Sequence, residues 1–376
     1  MTFPFPKLVL SIAVLPAALL LAGSSLQGWG LAALMIGALI FLHELGHFAV
    51  AKWMGMPVEV FSLGFGPRLL GFTWRETDVR LSVLPLGGYV KLAGFNPEEP
   101  EAEDPHGFLR QPAWKRVLFF SGGILANIAT AFVLLTALGV QSARMRPTTL
   151  KVVEIVKGSA AESGGLRLQD DLKRIGPLPM PETPWEDAVA YIQARSGQAI
   201  PFVVQRDGAL VTLDLVPRAE NGLGKIGIRP QAGDYVKAGG PVGVSDLGKG
   251  LRIGAQQTWS MSGEVLRGYA RLFTFRANLK ELGGPIAIAR AGRDAAQAGW
   301  FAYFLITAMI SLNLAILNAL PIPFLDGGHV TMLLFEKVRG RDLSIAVKER
   351  ILTGGAIFLA ALMVLVFAMD IWKLKH

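Results

Sequence analysis

His43-Glu44-Leu45-Gly46-His47 is the segment of this chain best equipped for chemistry. Residues four apart on a helix share a face, so His43 and His47 can present two imidazoles to one metal ion. Glu44 beside them can take a proton from a water at that ion. The same spacing also arises by chance, or in a core helix holding two satisfied histidines. The setting argues against both: the motif lies inside residues 31–50, an apolar stretch long enough to cross a bilayer. Ionisable residues there are costly, and their default reading is functional.

Catalytic zinc takes three protein ligands and leaves one position open. The chain has no cysteine, so histidine or carboxylate must complete a zinc site, and disulfides and thiolate nucleophiles are excluded. The other histidines are His106, His329 and His376. The candidate region is residues 318–329, where Pro321 and Pro323 end an apolar helix and Gly327-Gly328 follow Asp326. His329 offers an imidazole. Asp326 is favoured over it, because an ionised carboxylate partly neutralises the ion in a low-dielectric site. Asp beside Gly is also a common turn or capping residue. Asn127, a lone amide in an apolar helix, reads as packing glue between helices or, with Asn318, as a holder of substrate.

The elements that must position these residues are mostly membrane spans, since 52% of the 376 residues are hydrophobic. Residues 26–57 form a transmembrane helix with the zinc motif, 114–141 a second, 298–336 one ending in the second metal motif, and 351–376 the last. Residues 1–25 hold a further apolar run, read either as an extra transmembrane helix or as a signal peptide ending near Ala22-Gly23-Ser24. Residues 58–95 alternate apolar and polar between Gly and Pro turns, as in Val79, Leu81 and Val83. They read as a β region lying on or in the membrane. Residues 96–113 form an acidic loop, 233–297 an amphipathic and linker stretch suited to the membrane surface, and 337–350 a basic loop.

Residues 148–232 change character and read as one soluble α/β module. Thr183 is placed to cap a helix opened by Pro184, with Glu186 at the capping-box position. Asp207-Gly208 between two strand-like runs signals a tight hairpin. The net charge of +8 is concentrated in the loops after the first and before the last span, the positive-inside pattern. No nucleic-acid motif accompanies it, so nucleic acid is not an expected partner.

Taken together, these segments resemble the site-2 protease family of intramembrane zinc metalloproteases, nearest the bacterial regulator-of-sigma-E protease type. The resemblance rests on His43 to His47, Gly64-Phe65-Gly66-Pro67, Pro85 to Val90, Gly284-Pro285-Ile286 and Asn318 to Gly328. It implies Asp326 as the third zinc ligand and Glu44 as the catalytic base. The soluble module resembles a single PDZ domain, with Gly158 to Leu166 as its turn and Gly222 to Ile228 as its peptide-binding loop and strand, where the sigma-E branch carries two such domains.

The expected architecture is therefore a polytopic α-helical membrane protein of about four core spans, with a membrane-associated β-sheet and an inserted PDZ-like domain. The expected activity is zinc-dependent hydrolysis of peptide bonds in or near transmembrane segments of membrane proteins, anti-sigma factors or signal-peptide remnants among them. Membrane lipid and peptide C-termini at the PDZ domain are the other expected partners. The resemblance implies the bacterial inner membrane, and the order of spans puts the active site toward the cytoplasm with the PDZ domain outside. Two other classes compete, a non-catalytic PDZ membrane adaptor and an intramembrane zinc transporter. Retention of both histidines, Glu44 and Asp326 disfavours the first; Glu44 directly after His43 in a single site disfavours the second.

Overall fold

The computed structural model describes residues 24–96, 98, 104–183, 185–220, 222–237, 242–274 and 283–375. Residues 1–23 of the N-terminal apolar segment, residues 97 and 99–103 of the acidic loop, and Pro184 lie outside them. The chain divides into two compact units, Met1–Gly139 with Leu251–His376, and Val140–Gly250.

Among the described residues, four helices of the first unit are long and apolar enough to cross a membrane. They belong to α1 (Ser24–Trp53), α2 (Ala113–Ala143), α7 (Trp300–Ala319) and α9 (Ile345–Lys375). This makes the chain a membrane protein with an inserted β-rich domain. Backbone polar groups in such helices are satisfied within the helix, so cross-links between helices fall to side chains. Tyr303 of α7 donates to the Leu31 carbonyl of α1 at 2.9 Å, and Ser311 donates to the Asn127 carbonyl of α2 at 2.8 Å. Near the end of α9, the buried Asp370 carboxylate accepts from the amides of Gly284, Ile286 and Ala287 at 3.0, 3.0 and 3.1 Å. Those amides open helix α6 (Pro285–Ala298), so a negative charge sits at the positive end of its dipole.

Helix α5 (Val244–Phe273) is amphipathic, as expected, but from residue 251 onward it does not lie across the spans. Gly254 packs on Thr136, Met261 on the cluster of Ala131, Leu135, Ala308 and Leu312, and the Tyr269 hydroxyl donates to Asn313 Oδ1 at 2.8 Å. These contacts progress toward the start of α2 and the end of α7. The apolar face of α5 is thus used against α2 and α7.

The β region is two long strands, β1 (Val58–Trp74) and β2 (Thr77–Leu92), each bent back on itself. Phe61 pairs with both Val79 and Val90, and Leu63 with both Leu81 and Gly88, while Phe72 pairs again with Val79. The result is four rungs in the order 88–92, 58–63, 78–82 and 68–74, with 88–92 at one edge. Phe41, Phe48 and Phe61 bury the sheet's apolar face against α1. Helix α8 (Asp326–Arg339) follows α7 and joins α9 through buried Glu336, which pairs with Lys348 at 2.7 Å and accepts from the Leu343 amide at 2.8 Å.

The second unit holds an antiparallel sheet in the order β10-β3-β4-β6-β7. Its strands are β3 (Met145–Ile155), β4 (Asp171–Ile175), β6 (Ile200–Arg206), β7 (Ala209–Leu215) and β10 (Ile228–Lys237), with β5 (Leu178–Pro179) beside β4. Strands β8 (Arg218–Glu220) and β9 (Leu223–Lys225) form a separate pair. The β6–β7 turn is Asp207-Gly208, both at positive φ (48° and 84°), as a two-residue hairpin requires. Ser159 caps the short α3 (Ala160–Ser163) by accepting from the Glu162 amide. Helix α4 (Trp185–Gln193) closes a core of Val152, Leu172, Phe202, Val204 and Leu215. Thr183, expected to cap α4, donates its hydroxyl to the Pro179 carbonyl.

Buried Asp170 is gripped by Arg206 through two hydrogen bonds of 2.7 and 2.8 Å and accepts from the Arg167 amide at 2.8 Å. Burial, the largest single influence, raises its pKa, but Arg206 and Arg167 together outweigh it and hold the carboxyl below its ordinary value. A depressed carboxylate stabilises the fold above the unfolded pKa of about 3.9, and that contribution is lost as pH falls through the native value. Asp170→Asn should therefore destabilise the inserted unit by about 2 kcal/mol at pH 7 and by much less near pH 2. Limited proteolysis of the intact protein at both pH values measures this; equal losses at both would refute the assignment.

Candidate metal centre

The metal motif depends on how closely α1 and α2 approach. A Cβ on Gly46 would stand 2.2 Å from the Gly122 carbonyl oxygen, and one on Gly122 would stand 2.7 Å from that of Gly46. Only glycine at both positions lets the backbones touch. One residue on, a Cβ at Gly123 would fall 2.4 Å from His47 Nε2 and 2.6 Å from His43 Cε1. Gly123 is therefore the space in which the two imidazoles sit.

The α-helix puts His43 and His47 on one face, their ring centroids 4.9 Å apart. The His47 Nδ1–H donates to the Phe119 carbonyl at 2.8 Å, which leaves the Nε2 lone pair free to face the centre. Asp326, the first residue of α8, is delivered by the turn after α7. Phe324 in that turn has φ 80°, a conformation costing a non-glycine residue about 1–3 kcal/mol and held only by its surroundings. Gly327 and Gly328 permit the turn to fold down: a Cβ at either would lie within 2.4 Å of the carbonyls of Leu320 or Ile322.

These elements bring three donor atoms together. His43 Nε2 and His47 Nε2 are 3.3 Å apart, and each is 3.3 Å from Asp326 Oδ2. Tetrahedral zinc with bonds of about 2.0 Å spaces its ligands about 3.3 Å apart, so two nitrogens and one carboxylate oxygen at this separation fit that ion. Asp326 Oδ2 is buried without a hydrogen-bond partner, as expected of an atom reserved for a cation.

The three side chains open onto a cavity of about 320 Å³. Glu44 lines it, with its side chain against Gly88 of the edge rung, whose Cβ would meet Glu44 Cγ at 2.7 Å. Tyr89, Val90 and Asn318 line it as well. His329, the competing ligand by sequence, stacks on Phe120 with centroids 4.4 Å apart and takes no part in the cluster. Asn127 is fully buried, lies behind His43 and does not line the cavity; its Nδ2 is 3.0 Å from His43 Nδ1. Sequence reasoning missed Gly123, Phe119 and Phe324. Each depends on which helix or turn packs beside the imidazoles, which no local pattern discloses.

Comparison with known proteins agrees with this chemistry. Residues 31–362 match the profile of peptidase family M50. A provisionally named zinc metalloprotease of Clostridium acetobutylicum is 31% identical over 91% of this chain and 96% of its own length. Provisionally named zinc metalloproteases of Campylobacter jejuni and Rhizobium meliloti are each 32% identical, over 91% and 89% of this chain and 92% and 93% of their own lengths. With a two-histidine, one-carboxylate cluster among membrane-spanning helices, the chain belongs to peptidase family M50, the site-2 protease family of zinc metalloproteases.

Proposed function

We propose that this protease cleaves peptide bonds within or beside transmembrane segments of other membrane proteins, with zinc held by His43, His47 and Asp326. One observation carries the reading: three donors at mutual 3.3 Å open onto the same cavity as Glu44 and the edge-rung residues Gly88, Tyr89 and Val90. Bound zinc supplies a Lewis acid that polarises a carbonyl and lowers the pKa of water from 15.7 to about 7. Glu44 takes the proton of the attacking water and passes it to the leaving amine. The four groups together favour an enzyme over an adaptor, and a single cluster with a base beside it favours hydrolysis over a transport path.

A scissile bond inside a helix is shielded, so the substrate must be extended at the cleavage point. Among the described residues, rungs 58–63 and 78–82 are paired on both sides, whereas Gly88, Tyr89 and Val90 pair in the sheet only with 58–63. That edge borders the cavity and supports strand addition by the substrate, with Asn318 holding the segment. The basic residues that follow α1, and those from the end of α8 to the start of α9, support a cytoplasmic active site in a bacterial inner membrane. The inserted unit is then extracytoplasmic. We assign it as a PDZ domain that screens substrates, with Gly222 to Ile228 beside α4 as its peptide site. Antiparallel pairing of Ile228 with Ile155 and positive φ at Gly222 and Gly227 support that assignment.

Glu44→Gln should retain zinc and lose cleavage of a model transmembrane substrate by at least about 100-fold in purified protein. Bound zinc with undiminished cleavage would remove Glu44 from its role. Tyr89→Pro and Val90→Pro place the missing amide on opposite sides of the edge rung. One of the two should slow cleavage roughly fivefold or more while zinc content stays at one per chain; parental rates in both would exclude strand addition. Deleting residues 148–230 separates the two ways of screening. Loss of cleavage marks a domain that recruits substrate, and new cleavage of substrates with bulky ectodomains marks one that excludes them. An unchanged substrate profile rules out both.

A further inference from the structure

Asn127 is fully buried, one helical turn beyond the Gly123 gap, at the point where α1, α2 and α7 meet. Its backbone carbonyl is held by the Ser311 hydroxyl at 2.8 Å, and its side-chain amide lies 3.0 Å from His43 Nδ1, on the side of the ring away from the cavity. The carboxamide oxygen Oδ1 is buried without a partner. His47 has a matching arrangement, with the Phe119 carbonyl 2.8 Å from its Nδ1. Each imidazole thus has one fixed polar group behind it and its Nε2 toward Asp326.

An imidazole that binds a metal through Nε2 must carry its proton on Nδ1, so the group behind it has to accept a hydrogen bond. The Phe119 carbonyl can do nothing else. A carboxamide can accept or donate, because a half-turn exchanges its oxygen and nitrogen in place. We propose that Asn127 is a positioning residue that turns Oδ1 toward His43, accepts its Nδ1–H and so fixes the tautomer and ring plane for zinc binding. The inference rests on the metal assignment above and extends it. It accounts for a buried amide that lies behind His43 and does not line the cavity, and the exchange gives Oδ1 a donor while Nδ2 takes its former place. Gly123 and Asn127 then act as one unit on α2: the first leaves room for the rings, and the second fixes one of them.

The test is zinc affinity, read by chelator competition on the purified full chain, for the parent, Asn127→Leu and Asn127→Asp. Leucine fills the space but cannot accept a proton, and should weaken zinc binding about 10- to 100-fold. Aspartate can only accept, and should bind zinc within about threefold of the parent or more tightly. Parental affinity in the leucine variant overturns the proposal. So does an aspartate variant as weak as leucine, which would mean that the amide donates to His43. Unchanged zinc affinity in both variants with a raised KM would make Asn127 a substrate contact instead.

If the leucine variant does not fold, proton NMR of the cobalt-loaded parent decides. Two slowly exchanging imidazole N–H signals are expected, one from each histidine, and a single signal overturns the proposal. A parent that binds no zinc, or a His47→Ala variant that binds it as tightly, would defeat the metal assignment itself.

Discussion

The contact of Gly46 with Gly122 is the constraint on which the site depends. Helices separated by ordinary side chains pack with axes about 8–10 Å apart, too far for one to furnish the back wall of a metal site built on the other. With no Cβ at either position, the backbones meet, and the imidazoles of α1 occupy the notch left by Gly123. The Phe119 carbonyl and the Asn127 amide then fall within hydrogen-bond range of the two Nδ1 atoms. In lipid, apolar surface gives little drive for helix association, so packing and hydrogen bonds must hold this arrangement.

Polar groups elsewhere in the membrane-embedded unit follow that logic. Tyr303 reaches Leu31, Ser311 reaches Asn127, Tyr269 reaches Asn313, and Asp370 takes three amides at the start of α6. Each joins two helices that sequence separates. Against this background, the buried Asp326 Oδ2 without a hydrogen-bond partner stands out, because it belongs to the three-donor cluster. The membrane makes an unmet polar atom expensive, and here that expense coincides with the place where chemistry requires open valences.

Much of this was legible in the sequence for physical reasons. His43, Glu44 and His47 are neighbours on one helix, so their relation follows from helical period alone. Asp207-Gly208 fixed its hairpin because that turn needs two residues at positive φ. Asp326 could be matched to the histidines only through ligand chemistry and the resemblance, and its rivalry with His329 could not be resolved by local pattern. The structure separates them because His329, one turn later on α8, points its ring at Phe120. The course of α5 was not legible: an amphipathic pattern says that one face is buried, not whether lipid or α2 and α7 covers it. Nor could alternation in residues 58–92 disclose strands that each fold back, since that depends on which rungs pair.

The folding back of those strands bears directly on how a protease could act on a membrane-buried bond. An extended peptide in a low-dielectric region exposes donors and acceptors that lipid cannot satisfy. A substrate unwound at the cleavage point therefore needs a surface that replaces the hydrogen bonds of its helix. In the register observed, strands 58–63 and 78–82 spend both edges internally, which among the described residues leaves Gly88 to Val90 at an edge of the sheet. Gly88 in that rung lies against Glu44, with too little space for a side chain between them. In the proposed mechanism, a peptide paired along this rung gains backbone partners beside the proposed base. In that mechanism the sheet offsets the cost of unwinding at the same place where the proposed base and metal ligands are assembled.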